Sequence, residues 1–212
     1  MTWYIIANGK MQDYEFFNRL TAGSSLICAD GGANHAFRMG RVPSVVIGDL
    51  DSLGTEVRAW LEGEGVPVIT APREKDETDT GLALQWLVRE HPDVKEVTVL
   101  GALGGRLDHT VFNLQLLLTW YRQRLKIKLV DEAQTVFLIT PEWPGHFTGL
   151  GRLVSLLAFT PEVEGISTVN LQYSLSDARM YQDKPLGVSN VLTGETGEVT
   201  VRAGVLLAFI NH

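Results

Sequence analysis

The sequence predicts an α/β fold: a doubly wound, mostly parallel sheet domain followed by a small all-β sandwich domain. Three observations predict it. Over roughly the first 130 residues, short apolar runs alternate with amphipathic segments, the pattern that builds consecutive βαβ units. Several of those runs, such as Val45-Val46-Ile47, are apolar throughout, which suits strands covered on both faces. From about residue 140 the helical periodicity stops, and β-branched runs separated by turn residues take over.

The strand candidates in the first part are 3–7, 25–29, 44–47, 66–69, 96–100 and 127–130. Between them fall helix candidates at 14–20, 33–39, 55–62, 80–89 and 110–122. In the last of these, Val111, Leu114, Gln115, Leu118 and Tyr121 lie near one stripe at helical spacing. Trp60, Trp86 and Trp120 sit in such patterns and are expected in the core. Pro141, Pro144, Gly145, Gly149 and Gly151 crowd into an expected linker. Beyond it, 152–159, 165–171, 198–202 and 205–210 read as strands. The expected domains are 1–140 and 141–212. The second is small enough to need support from the first or from a partner subunit.

Composition narrows the function classes. A formal charge of −7 without a basic tract argues against binding nucleic acid. Any anionic substrate must then be received by local cations or a metal. The one cysteine, Cys28, excludes an internal disulfide and has apolar neighbours, so a cytoplasmic setting is the expectation. The first ten residues lack the basic start and apolar core of a signal peptide, and no apolar run approaches the ~20 residues of a membrane span.

Chemistry concentrates in four short runs. Asp30-Gly31-Gly32, Gly48-Asp49-Leu50-Asp51-Ser52, Asp76-Glu77-Thr78-Asp79 and the glycine-rich stretch 101–109 follow four successive strand candidates. All four thus fall at carboxyl ends of strands, where open α/β sheets bind ligands. Close carboxylates repel one another unless a cation lies between them, and Mg²⁺ suits an all-oxygen site that also recruits phosphates. Asp49 and Asp51 form one such pair; an Asp-rich turn capped by Ser52 is the plainer alternative. Asp79 starts a helix, where helix capping rivals metal binding. In Gly101-Ala102-Leu103-Gly104-Gly105-Arg106-Leu107-Asp108-His109, the glycines permit close backbone approach and Arg106 offers a planar fork to phosphate. Asp108 could orient Arg106 or cap the helix, and His109 could meet a ligand or be structural. Arg73 and Lys75 precede the acidic run and could also meet phosphate. P-loop and Gly-x-Gly-x-x-Gly patterns, zinc spacing and a Gly-x-Ser-x-Gly elbow are all missing. The residues read as an Mg²⁺-nucleotide enzyme.

These runs resemble the thiamine pyrophosphokinase family, which carries an Asp-Gly-Gly turn, a Gly-Asp-x-Asp-Ser run, an Asp-x-Thr-Asp run and a Gly-x-x-Gly-Gly-Arg-x-Asp loop in this order. Ser189-Asn190 before a glycine-containing turn, and a final strand pair, resemble the family's thiamine-binding domain. The resemblance implies transfer of a diphosphate from ATP to the hydroxyethyl group of thiamine, releasing AMP. It implies Mg²⁺ on Asp49, Asp51 and Asp79, with Arg106 joining them in catalysis. The nucleotide would meet Asp30, Gly31, Gly32, Lys75, Asp76, Thr78, Gly104, Gly105, Arg106 and Asp108. Thiamine would meet Tyr173, Ser189 and Asn190, in a homodimer whose active site is shared between subunits. On this alignment Lys75 replaces an amide side chain of some relatives, and His109 stands where relatives vary. The rivals are a pyrophosphokinase for another heterocyclic alcohol, such as a pterin, and a nucleotide or thiamine sensor without catalysis.

Overall fold

The computed structural model describes residues 2–70, 77–184 and 186–212. The chain divides into two compact units, Met1–Glu132 and Ala133–His212. The first carries β1 (Trp3–Ile6), α1 (Tyr14–Leu20), β2 (Ser25–Ala29), α2 (Gly32–Arg38), β3 (Val45–Gly48), α3 (Thr55–Gly63), β4 (Val68–Thr70), α4 (Asp79–Glu90), β5 (Glu96–Leu100), α5 (Leu107–Tyr121) and β6 (Lys126–Val130). All strand pairs in it are parallel, in the order β6-β5-β1-β2-β3-β4. The strands β1, β2 and β3 are buried on both faces, as their uninterrupted apolar runs require, whereas β4 at the edge is exposed. On one face Tyr4, Ile6, Leu26, Cys28 and Val46 pack with Phe17 of α1, Ala33 and Ala36 of α2, and Val57 and Leu61 of α3. Helix α4 lies against β1, β2 and β3 and buries Ala83, Leu84 and Leu87.

The second unit is a β-sandwich, as expected. Its strands are β7 (Gln134–Ile139), β8 (Gly145–Thr148), β9 (Leu153–Ala158), β10 (Glu162–Val169), β11 (Ala178–Tyr181), β12 (Asn190–Val191), β13 (Thr196–Thr200) and β14 (Leu206–Asn211). One antiparallel sheet runs β12-β9-β14-β7 and the other β11-β10-β13-β8. Phe137, Ile139, Val154, Leu156, Leu206 and Ala208 of the first sheet share a core with Phe147, Val163, Ile166, Met180 and Val199 of the second.

Two expectations need correction. The segment read as a linker contains β8, whose alternating buried and exposed residues pair with β13. The stripe expected on α5 is also misplaced: Leu117 and Trp120 are buried, whereas Val111 is 46% exposed. Strand β7 falls in the second unit.

Candidate active site

From β1 the sheet continues through β2, β3 and β4 on one side and through β5 and β6 on the other. The direction of winding reverses between β1 and β5, so the loops leaving their carboxyl ends diverge and open a crevice. A cleft of about 770 Å³ lies there, lined by Asn8, Gly9 and Lys10 after β1, by Asp30, Ser52, Thr78 and Asp79, and by Gly104, Gly105, Arg106, Asp108 and His109. The two loops at the switch point touch through glycine. Gly9 N–H donates to Gly101 O at 2.8 Å, and a Cβ on Gly9 would lie 2.2 Å from that oxygen. No side chain fits at that crossing.

His35 of α2 holds the same turn from behind. Its Nε2 lies 2.8 Å from Gly9 O, which can only accept, so Nε2 carries the proton. Nδ1 therefore accepts from the Tyr14 hydroxyl at 2.9 Å, and that hydroxyl accepts from Arg38 Nη1 at 3.1 Å. Burial lowers the pKa of His35 and keeps the ring neutral.

The carboxylates are assembled by backbone contact between β2 and β3. Asp30 takes a left-handed φ of +45° and is buried, at 8% exposure. At the end of β3, Gly48 has φ +154°, and a Cβ there would stand 2.9 Å from both Cα and Cβ of Asp30. Glycine is what lets the Asp49–Asp51 turn close over Asp30. Within that turn Asp51 N–H donates to Asp49 Oδ1 at 3.0 Å, and Ser52 Oγ to Asp51 Oδ1 at 3.2 Å. One oxygen from each of Asp30, Asp49 and Asp51 lies within 4.8 Å of the others. Asp30 Oδ1 is buried with no hydrogen-bond partner among the described residues. An unsatisfied buried acceptor costs ~1–3 kcal/mol, more when charged; a cation among the three carboxylates relieves both that cost and their repulsion. Oxygens on one Mg²⁺ lie at most about 4.2 Å apart, so a hard divalent cation fits this group with small side-chain adjustments.

The sequence reading grouped Asp79 with Asp49 and Asp51 and gave Asp30 to the nucleotide; in the structure Asp30 also gathers with Asp49 and Asp51. Asp79 lines the cleft as the first residue of α4. The rival role of capping falls to Thr78, whose hydroxyl accepts from Gly81 N–H at 3.2 Å. Arg106 is the N-cap of α5 without a capping side chain. Its Nε and Nη2 donate to Asp108 Oδ1 and Oδ2 at 3.2 and 2.6 Å, so Asp108 orients the fork and does not cap. The hydrogen bond from Arg106 holds the Asp108 carboxyl below the usual range. Asn113 Nδ2 ties down the loop through Ala102 O at 2.9 Å. Gly104 and Gly105 line the cleft just before α5 begins, and a glycine turn leading into a helix start is a ready anion site. Lys75 and Asp76 lie outside the described residues.

In the second unit the three expected thiamine residues share one corner. Asn190 is buried, and its amide is spent on the backbone of Tyr173: Oδ1 accepts from Tyr173 N–H and Nδ2 donates to Tyr173 O, both at 2.9 Å. The Tyr173 ring is 64% exposed. Ser189 has φ +58°, and its N–H donates to Ser155 Oγ at 3.0 Å. The sequence reading missed Asn8-Gly9-Lys10 and His35. An Asn-Gly pair straight after the first strand candidate was the available signal, since every other motif follows a strand in the same way.

The family model described as "Thiamin pyrophosphokinase, catalytic domain" matches residues 17–129. The chain belongs to the thiamin pyrophosphokinase family. A second model, "Thiamin pyrophosphokinase, vitamin B1 binding domain", matches residues 142–206. The thiamine pyrophosphokinase of Bacillus subtilis is 28% identical over 182 residues, 85% of this chain and 84% of that protein. Thiamine pyrophosphokinase 1 of Oryza sativa is 28% identical over 199 residues, covering 82% of this chain and 74% of its own length. The crystal structure of the Bacillus subtilis protein superposes with a TM-score of 0.87 at 25% identity, covering 100% of this chain and 99% of that one. The thiamin pyrophosphokinase of Geobacillus thermodenitrificans gives 0.83 at 27% identity, over 100% and 98%.

Proposed function

We propose that this chain transfers the diphosphate group of ATP to the hydroxyethyl group of thiamine, giving thiamine diphosphate and AMP. The observation that carries the reading is a meeting at one crevice. Asp30, the buried member of an acidic group with Asp49 and Asp51, lines the same cleft as Asp79, a glycine-rich loop and an arginine fork. Membership of the thiamin pyrophosphokinase family over nearly the whole length supports the acceptor.

The thiamine hydroxyl oxygen bonds to the β-phosphorus and gives up its proton. The bond from that phosphorus to the α,β-bridging oxygen breaks, and AMP leaves with the electron pair. Asp30, Asp49 and Asp51, with Asp79 in the same cleft, would hold Mg²⁺, which when bound offsets charge on the phosphate oxygens. Arg106 and the amides of Gly104, Gly105 and the α5 start receive phosphate oxygens and stabilise charge as it develops, by position rather than by covalent chemistry. Tyr173 offers an aromatic face to the cationic thiazolium, and Ser189 a hydroxyl. Asn190 holds Tyr173 in place.

The chain acts as a homodimer, the β-sandwich of one copy serving the cleft of the other. Exposed Tyr173, Leu186 and Val188 beside Ser189 and Asn190 support that arrangement. No helix among the described residues is long and apolar enough to cross a membrane, and the lone buried cysteine suits the cytoplasm. Incubation with ATP, Mg²⁺ and thiamine, followed by chromatography, should yield AMP and thiamine diphosphate in matched amounts. Faster turnover with a hydroxymethylpterin than with thiamine would overturn the acceptor.

A further inference from the structure

We propose that Lys10, on the loop between β1 and α1, is a phosphate-binding residue of the cleft that grips the β,γ end of the nucleotide. The inference rests on the reading of the cleft as a triphosphate site. Among the described residues that line it, Asp30, Asp79 and Asp108 stand against Lys10 and Arg106. A triphosphate entering such a cleft needs cations that are not already committed. Arg106 is committed in part, since two of its nitrogens are held by Asp108. Lys10 is exposed and enters no hydrogen bond or ion pair among the described residues. Its backbone, by contrast, is locked on both sides. Before it, Gly9 is pinned to Gly101 and to His35. After it, the N–H groups of Gln12 and Asp13 donate to Glu132 Oε1 at 2.6 and 3.0 Å. A Cβ built on Gly104 would lie 3.9 Å from Lys10 Cβ, so the lysine stem starts beside the glycines whose amides face the anion. A long flexible cation on a fixed base, next to an anion-binding turn, is well suited to the terminal phosphates.

Calorimetric titrations with Mg²⁺-ATP, AMP and inorganic tripolyphosphate, done without thiamine, separate this inference from the proposed reaction. Lys10→Ala should weaken ATP and tripolyphosphate by ~10-fold or more, the scale of one charge-assisted hydrogen bond, and AMP by less than about twofold on the same reasoning. Lys10→Arg should restore most of the loss. The thermal midpoint of Lys10→Ala should match the parent, because the side chain is exposed and enters no hydrogen bond or ion pair among the described residues. Unchanged ATP affinity in Lys10→Ala, or equal losses for AMP and ATP, would overturn the role of Lys10 while leaving the triphosphate site intact. Failure of the parent protein itself to bind ATP would overturn the triphosphate reading and this inference together.

Discussion

Asp30 combines a left-handed backbone with a buried oxygen that nothing among the described residues satisfies. Neither feature helps the chain to fold, and such costs collect at functional sites. Asp30→Asn removes a charge from the acidic group, so it should raise the metal-free thermal midpoint by ~2–4 °C and lower turnover by ~100-fold or more. A lower midpoint with turnover retained would take Asp30 out of the site. Asp51→Asn should abolish turnover and weaken Mg²⁺-ATP binding in titration; full activity at ordinary Mg²⁺ would count against it. His35 gives a pH dependence with a definite sign. Its pKa is lowered in the folded chain by burial, while the unfolded value stays near ~6.5. As pH falls below about 6.5 the unfolded chain takes the proton first, so stability present above that pH is lost on acidification. The urea midpoint should therefore drop between pH 7.5 and 5.5, and drop less in His35→Gln; parallel curves would refute the assignment. At this scale the carboxylates were legible because they stand in short runs with glycine or threonine just after strand candidates. That Asp30 meets Asp49 and Asp51 was hidden, because it depends on β2 lying beside β3 and on Gly48 letting the two backbones touch. The use of Asn190 on the backbone of Tyr173 was hidden likewise, since only the fold brings the two segments together.

The elements that sequence alone revealed are those whose pattern is local. Strands β1, β2 and β3 are apolar on nearly every residue and buried on both faces, so each shows as a short apolar run. Strands β7, β8, β11 and β12 escaped, β7 despite its buried Val136–Ile139 run. Gly145–Thr148 lies among prolines and glycines, Ala178–Tyr181 has only Met180 buried, and Asn190–Val191 exists only through its pairing with β9. Helix α5 misled for another reason. It is apolar nearly all round, so periodicity could not choose the buried face, and Leu107 stands 75% exposed at its start. Helix α4 has a cap that can be tested alone. Thr78→Ala leaves the Gly81 N–H unsatisfied and should cost ~1 kcal/mol in denaturant unfolding; no measurable loss would return the capping role to Asp79.

For the whole molecule, the division of labour between an α/β unit and a β-sandwich was legible in the change of period near residue 140, while the contacts divide the chain at Glu132. Apolar side chains left exposed on both units, Leu107, Val111 and Phe112 on one and Tyr173, Leu186 and Val188 on the other, call for cover. Sedimentation or light scattering should accordingly give the mass of two chains; a monomer fully active at nanomolar concentration would exclude a shared site. The central claim is that the bond broken lies between the α- and β-phosphates of ATP. Its most direct test is ATP carrying distinguishable labels at the α- and β-phosphorus, turned over with Mg²⁺ and thiamine. The account predicts the α label in AMP and the β label in thiamine diphosphate, in equal amounts. A β label that stays with the nucleotide as ADP, with thiamine monophosphate as the other product, would contradict it.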